Sequence, residues 1–168
     1  MSVRRLIATA CAVCVLVAGF ATSLGADDGN KQSVTVSFGA GLNTAQPGNH
    51  ANHHIIPQTI KVKAGGVVNF AVAGFHWIFV YQPGKKAADV VLTGGTPLFI
   101  NDMTDLYYGG LDPTAPPSAT PAGFSSTQNR IESVSFSEPG TYLVICNVRP
   151  HFADGMYAYI QVEKGGND

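Results

Sequence analysis

Cysteine is scarce in this chain: three residues in 168, of which Cys11 and Cys14 lie in an apolar N-terminal run. Cys146 stands alone beyond that run, so the rest of the chain has no internal disulfide to staple it. Charged residues are also few, at 12%, and none are gathered into a basic run, which argues against nucleic acid or an anionic membrane surface as partner. No stretch carries the 3.6-residue apolar period of an amphipathic helix, which excludes a helical bundle. A Ser-His-Asp arrangement, a phosphate-binding loop and a paired-cysteine zinc motif are all missing. Of three methionines only Met103 and Met156 lie beyond the first residue, too few for a methionine-lined metal store.

What is present begins with Arg4 and Arg5, an apolar run from Leu6 to Phe20, and small or polar residues up to Ala26. This layout predicts a secretory signal peptide, residues 1–26, although Leu24 departs from the A-x-A cleavage pattern. A membrane anchor is the competing reading, since about 20 apolar residues span a bilayer; the glycines and Thr22-Ser23 weaken it. Cleavage leaves residues 27–168 as one domain of 142 residues with a net charge of −3, periplasmic or secreted and without stable membrane association. A lone thiol in an oxidising compartment is exposed to oxidation, and coordination to a metal would hold it as thiolate.

Short alternating runs predict strands. Ser33 to Phe38 places Val34, Val36 and Phe38 on one face, and Thr59 to Lys63 does the same with Ile60 and Val62. Ala64-Gly65-Gly66 then turns into Val67 to Val72, which reads as a hairpin. Phe75 to Tyr81, Ile131 to Phe136, Thr141 to Cys146 and Met156 to Val162 complete the set. Such strands, punctuated by Gly and Pro turns, imply an all-β sandwich. Residues 82–130 interrupt it with a long irregular insertion, rich in proline between Asp112 and Pro121, where Ala87 to Leu92 and Leu98 to Leu106 are candidate short elements.

The chemistry is concentrated in Cys146-Asn-Val-Arg-Pro-His151-Phe-Ala-Asp-Gly-Met156. Taken singly, an unpaired Cys, a His or a Met near a strand end is ordinary surface or core filler. An ordered thiolate, imidazole and thioether between two strands, with His76 on an earlier strand, is better explained as a copper site. Sulfur suits soft Cu(I), imidazole suits Cu(II), and Cys with two His in a plane plus a weak axial Met serves both states with little rearrangement. Arg149-Pro150 stiffens the loop, because proline fixes its own φ and restricts the residue before it.

On these residues the chain resembles the cupredoxins, the family of plastocyanin, azurin and rusticyanin. Pro57-Gln-Thr-Ile-Lys-Val-Lys-Ala-Gly65 resembles an early strand of that fold, Pro139-Gly-Thr-Tyr-Leu-Val-Ile-Cys146 its penultimate strand, and Gly155-Met156-Tyr-Ala-Tyr-Ile-Gln-Val162 its last. The resemblance covers Ser33 to Glu163 apart from the insertion, and the Cys-to-His spacing is nearer to rusticyanin- and auracyanin-like members than to plastocyanin. It implies a Greek-key β-sandwich holding one type 1 copper on His76, Cys146, His151 and Met156. One departure stands out: Trp77 follows the first ligand where the family commonly has Asn, and Asn147 is the candidate to take over part of its linking role.

His50, His53 and His54 form a cluster that is a candidate auxiliary copper or zinc site, set against the commoner outcome of solvent contact. With Gly74-Phe75-His76, the His53-His-Ile-Ile-Pro57 stretch also resembles a bacterial periplasmic cupredoxin branch associated with copper tolerance. The leading expectation is an electron carrier that docks transiently with redox partners where the His151 edge meets the surface. The second is a copper-handling protein that uses the histidine cluster. An enzyme is disfavoured, because a copper oxidase or nitrite reductase needs a further catalytic copper and generally a second such domain.

Overall fold

The computed structural model describes residues 31–39, 52–93, 95–115, 118–120, 123–125 and 128–165. The expected signal peptide and His50 lie outside these residues. Eleven strands and two single-turn helices are described: β1 (Ser33–Gly39), β2 (Ile55–Ile56), β3 (Thr59–Lys63), β4 (Gly66–Ala73), β5 (Ile78–Tyr81), a 3-10 turn (Ala87–Asp89), β6 (Leu106–Gly109), β7 (Ser118–Thr120), β8 (Gly123–Ser125), β9 (Asn129–Phe136), β10 (Gly140–Cys146), α1 (Arg149–Ala153) and β11 (Tyr157–Glu163). One sheet runs β2-β1-β4-β9 and the other β3-β11-β10-β5-β6, while β7 and β8 pair with each other. Both large sheets are mixed, with β1 parallel to β4 and β3 parallel to β11. The all-β sandwich expected from the strand pattern is therefore present.

Period-two alternation builds the core. Val36 and Phe38 of β1, Val68, Phe70 and Val72 of β4, and Val134 and Phe136 of β9 meet Ile60, Val62, Ile78, Val80, Val144, Ala158 and Ile160 from the opposite sheet. Each such valine, isoleucine or phenylalanine contributes about 1.5–3 kcal/mol by leaving water. β5 and β10 are buried on both faces, which is why they read as unbroken apolar runs. Phe79, Tyr81, Leu143 and Ile145 point away from the sandwich interior and pack with Val90 and Ile100 of the insertion. The insertion thus covers the outer face of the second sheet, a role its composition did not disclose.

Two expectations are corrected. β3 and β4 do not form a hairpin: β3 pairs with β11 and β4 with β1 and β9, so Ala64-Gly65-Gly66 carries the chain from one sheet to the other. Gly66 is buried at that crossing, where a Cβ would lie 2.5 Å from Val62 Cγ2. The strand expected from Phe75 begins only at Ile78, opposite Cys146. Gly74, at φ 101°, turns the backbone, and the His76 N–H donates to the Gly74 carbonyl at 3.0 Å, so His76 sits on a tight loop. In the insertion, the 3-10 turn occupies Ala87–Asp89, the stretch from Leu98 contributes the bridge of Phe99 to Val148 and enters β6 at Leu106, and β6 adds an edge strand to the second sheet.

Candidate metal centre

Cys146 ends β10 on the register that points Tyr142 and Val144 inward, so its sulfur enters the space between the sheets and is fully buried. The chain then makes the one helical turn α1, with Pro150 at its start, where a missing N–H costs nothing, and His151 in its middle. The Met156 N–H donates to the His151 carbonyl and the Cys146 N–H to the Met156 carbonyl, both at 3.0 Å. Met156 is fully buried in the same core cluster as Cys146. The ligand loop is thus closed on itself by its own backbone.

His76 comes from the opposite side. It is buried, packs edge-on against Phe38 of β1 with centroids 5.9 Å apart, and hydrogen-bonds the Ala73 carbonyl. Its Nδ1 faces His151 Nδ1 at 3.0 Å and Cys146 Sγ at 3.6 Å, and His151 Nδ1 lies 3.7 Å from the same sulfur. An ion bonded at about 2.0 Å to two imidazoles and about 2.3 Å to a thiolate, at angles near 120°, sets its nitrogens about 3.5 Å apart and each about 3.7 Å from sulfur. The two sulfur legs match, and the nitrogen pair has to open by about 0.5 Å. Among the described residues this is the group of His, Cys, Asp and Glu side chains able to hold a metal ion.

The surroundings select neutral imidazole. Burial, followed by the positive charges of His151, His53 and Arg130, brings the His76 pKa down to about 3, against the hydrogen bond to Ala73. That bond leaves Nδ1 as the free electron pair facing the sulfur. Burial pushes the Cys146 thiol up to about 12, opposed by the backbone N–H groups of Trp77 and Val148 and by Arg130. These donors favour the thiolate that a metal ion would require.

The two ligand loops are tied together through the backbone at Trp77. Its carbonyl accepts from the Asn147 N–H at 2.7 Å, and its indole N–H donates to the Gly110 carbonyl at 2.7 Å. Asn147 is fully buried, but its side chain reaches the insertion: Oδ1 accepts from the Asn101 N–H at 3.0 Å. Asn147 therefore links the Cys146 loop to the His76 loop through its backbone and to the insertion through its amide. Beneath His76 lies a buried ion pair, Arg130 with Glu132. Arg130 also donates to the carbonyls of His76 at 3.2 Å and Leu111 at 3.1 Å, and Glu132 accepts from Tyr108 Oη at 2.7 Å.

Of the histidine cluster, His54 is exposed, whereas His53 lies against His151 and contacts Asp154, outside the three-donor group. Sequence reasoning passed over Gly39, Arg130, Glu132 and Asp154. A signal existed for Glu132, which shares the inward register of Val134 and Phe136. Gly39 carried none, since its role depends on a neighbour 37 positions away, His76.

No protein-family model and no curated protein sequence matches the chain. Among solved structures it is similar to reduced auracyanin from Roseiflexus castenholzii, at 19% identity and a TM-score of 0.47, over 77% of this chain and 95% of that one. It is also similar to auracyanin A from Chloroflexus aurantiacus, a "blue" copper protein, at 19% identity and 0.44, over 79% and 99%. Plastocyanin from Dryopteris crassirhizoma aligns at 19% identity and 0.41, over 77% and 100%. Independently of these likenesses, a mixed two-sheet sandwich in which buried His76 and Cys146 form a triangle with half-buried His151, with Met156 beside it, has the donor set of one type 1 copper ion.

Proposed function

We propose that this protein is a mononuclear copper protein that transfers single electrons by cycling between Cu(II) and Cu(I). His76, Cys146 and His151 hold the ion and Met156 is its weak axial ligand. The observation that carries the reading is the triangle of 3.0, 3.6 and 3.7 Å between two imidazole nitrogens and one sulfur, built from two separate loops. Copper supplies the redox couple. The residues hold three donors in a frame stiffened by the sheets, by Pro150 and by the Arg130–Glu132 pair, so that little moves when the charge changes.

The proposal places the chain in the periplasm or outside the cell, with residues 1–26 as its signal, and gives it redox partners that dock transiently at the ligand-loop end. It is a carrier and not an enzyme. Copper handling with an auxiliary ion at His50, His53 and His54 is the alternative, supported by His53 lying beside the centre. Loading the chain with Cu(II) separates the readings. A carrier takes up a single ion and shows intense thiolate-to-copper absorption and a small EPR hyperfine splitting, both lost in Cys146→Ser. A second ion that disappears when the three histidines are replaced favours copper handling. Retention of the absorption in Cys146→Ser refutes the centre.

A further inference from the structure

Building on the copper reading above, we propose that His53 is a positioning residue of the centre: pinned by Asp154, its ring lies flat on His151 and holds that ligand in place. The two imidazoles stack with centroids 3.8 Å apart and planes 25° from parallel. His53 Nδ1 lies 2.5 Å from Asp154 Oδ2, and the His53 side chain is only 13% exposed. Asp154 follows directly on α1, so the contact spans from the ligand His151 to the end of its own helical turn. A five-residue helix is too short to hold a side chain at its middle without outside support.

The chain that follows His53 is equally fixed. The His54 carbonyl accepts from the Gly39 N–H at 2.9 Å, Ile55 is fully buried, and β2 pairs with β1 at Ser37 and Phe38. The strand that places Phe38 against His76 thus also places His53 against His151.

Ring geometry excludes the simpler idea that His53 is a further ligand. A metal ion lies close to the plane of the imidazole it binds. A ring stacked 3.8 Å above that plane keeps its lone pairs in a nearly parallel plane, directed past the ion. What a stacked ring does provide is area against the ligand's face and a barrier to its swinging outward, the step by which an incoming chelator would open the centre.

The test uses the copper-loaded full chain, the variants His53→Ala, His53→Phe and Asp154→Ala, and transfer of Cu(II) to EDTA, with EPR recorded on each. The native chain must first show the thiolate–copper band; if it does not, the copper reading fails before His53 is tested. His53→Ala is expected to release copper about tenfold faster and to alter the hyperfine splitting. His53→Phe keeps a flat ring on His151 but loses the Asp154 contact, so its release should fall between native and His53→Ala. Asp154→Ala, which also frees the ring without removing it, should fall in the same range. Native release and splitting in His53→Ala overturn the proposal, as does a phenylalanine variant that releases copper as fast as the alanine one. If His53→Ala does not fold, release from Asp154→Ala faster than native supports the proposal and native release from it overturns it.

Discussion

Gly39→Ala should cost this protein its copper site more than its fold. Gly39 ends β1 at φ 91°, a left-handed conformation in which a residue with Cβ loses about 1–2 kcal/mol. A Cβ there would lie 2.4 Å from His76 Nε2 and 2.5 Å from the Ala73 carbonyl oxygen. Carbon contacts sit at about 3.5 Å or more, so each neighbour would have to retreat by about 1 Å. Ala73 faces Gly39 in the last pair of the parallel ladder of β1 and β4, so its retreat opens only that end of the ladder, while the imidazole is pushed aside as well. A ligand displaced by about 1 Å leaves bonding range, and copper affinity should drop by about a hundredfold or more. Gly65→Ala is the control, because Gly65 has φ 85° and nothing within 4 Å of its Cβ position. It carries the same backbone cost without the collision. Urea unfolding of the metal-free chains and competition titration of copper against a chelator read the two effects separately. The reasoning is refuted if Gly39→Ala binds copper as tightly as Gly65→Ala.

Three further outcomes are expected. Glu132→Gln removes the carboxylate paired with Arg130 in a buried ion pair and should cost about 3–5 kcal/mol in urea unfolding, whereas Tyr108→Phe removes one hydrogen bond to Glu132 and should cost about 1 kcal/mol. Asp102 is pulled up by burial, but Lys85 at 2.8 Å and the N–H groups of Val91 and Thr104 outweigh this and hold its carboxyl below the usual range. A depressed folded pKa means that its contribution is complete above about pH 4 and is lost as pH falls through the folded value. The stability gap between native protein and Asp102→Asn should therefore narrow on acidification, and a gap independent of pH contradicts the assignment. Copper uptake near neutral pH should release the Cys146 proton, since the metal-free thiol titrates at about 12, while His76, at about 3, contributes none. Calorimetry in buffers of different ionisation enthalpy measures it, and a Cys146→Ser chain that releases protons equally would refute it.

The fold was legible where one face of a strand is wet. β3 and β9 alternate in sequence and in burial, and their expected limits fall within two residues of the observed ones. It was less legible where a turn joins two sheets. Ala64-Gly65-Gly66 has the composition of a hairpin, and only the pairing of β3 with β11, some hundred residues later, decides otherwise. The insertion hid its role because Val90 and Ile100, which cover the second sheet, sit in the short apolar runs Val90-Val91-Leu92 and Leu98-Phe99-Ile100, which have no period to show a face.

The candidate donors that the structure brings together, His76, Cys146 and His151, were legible because two of them share one short loop and chemistry limits which residues can serve. Their support was less so. Arg130 reaches the His76 carbonyl from another strand, Asp154 reaches His53 from the far side of the ligand loop, and Gly39 acts by having no side chain. Such contacts depend on tertiary approach, which spacing does not encode.

X-ray absorption at the copper edge of the loaded chain addresses the central claim most directly. The expected first shell is one sulfur at about 2.2–2.3 Å and two imidazole nitrogens at about 2.0 Å, nearly unchanged on reduction, with the sulfur missing in Cys146→Ser. A first shell made only of nitrogen and oxygen in the native chain would contradict it.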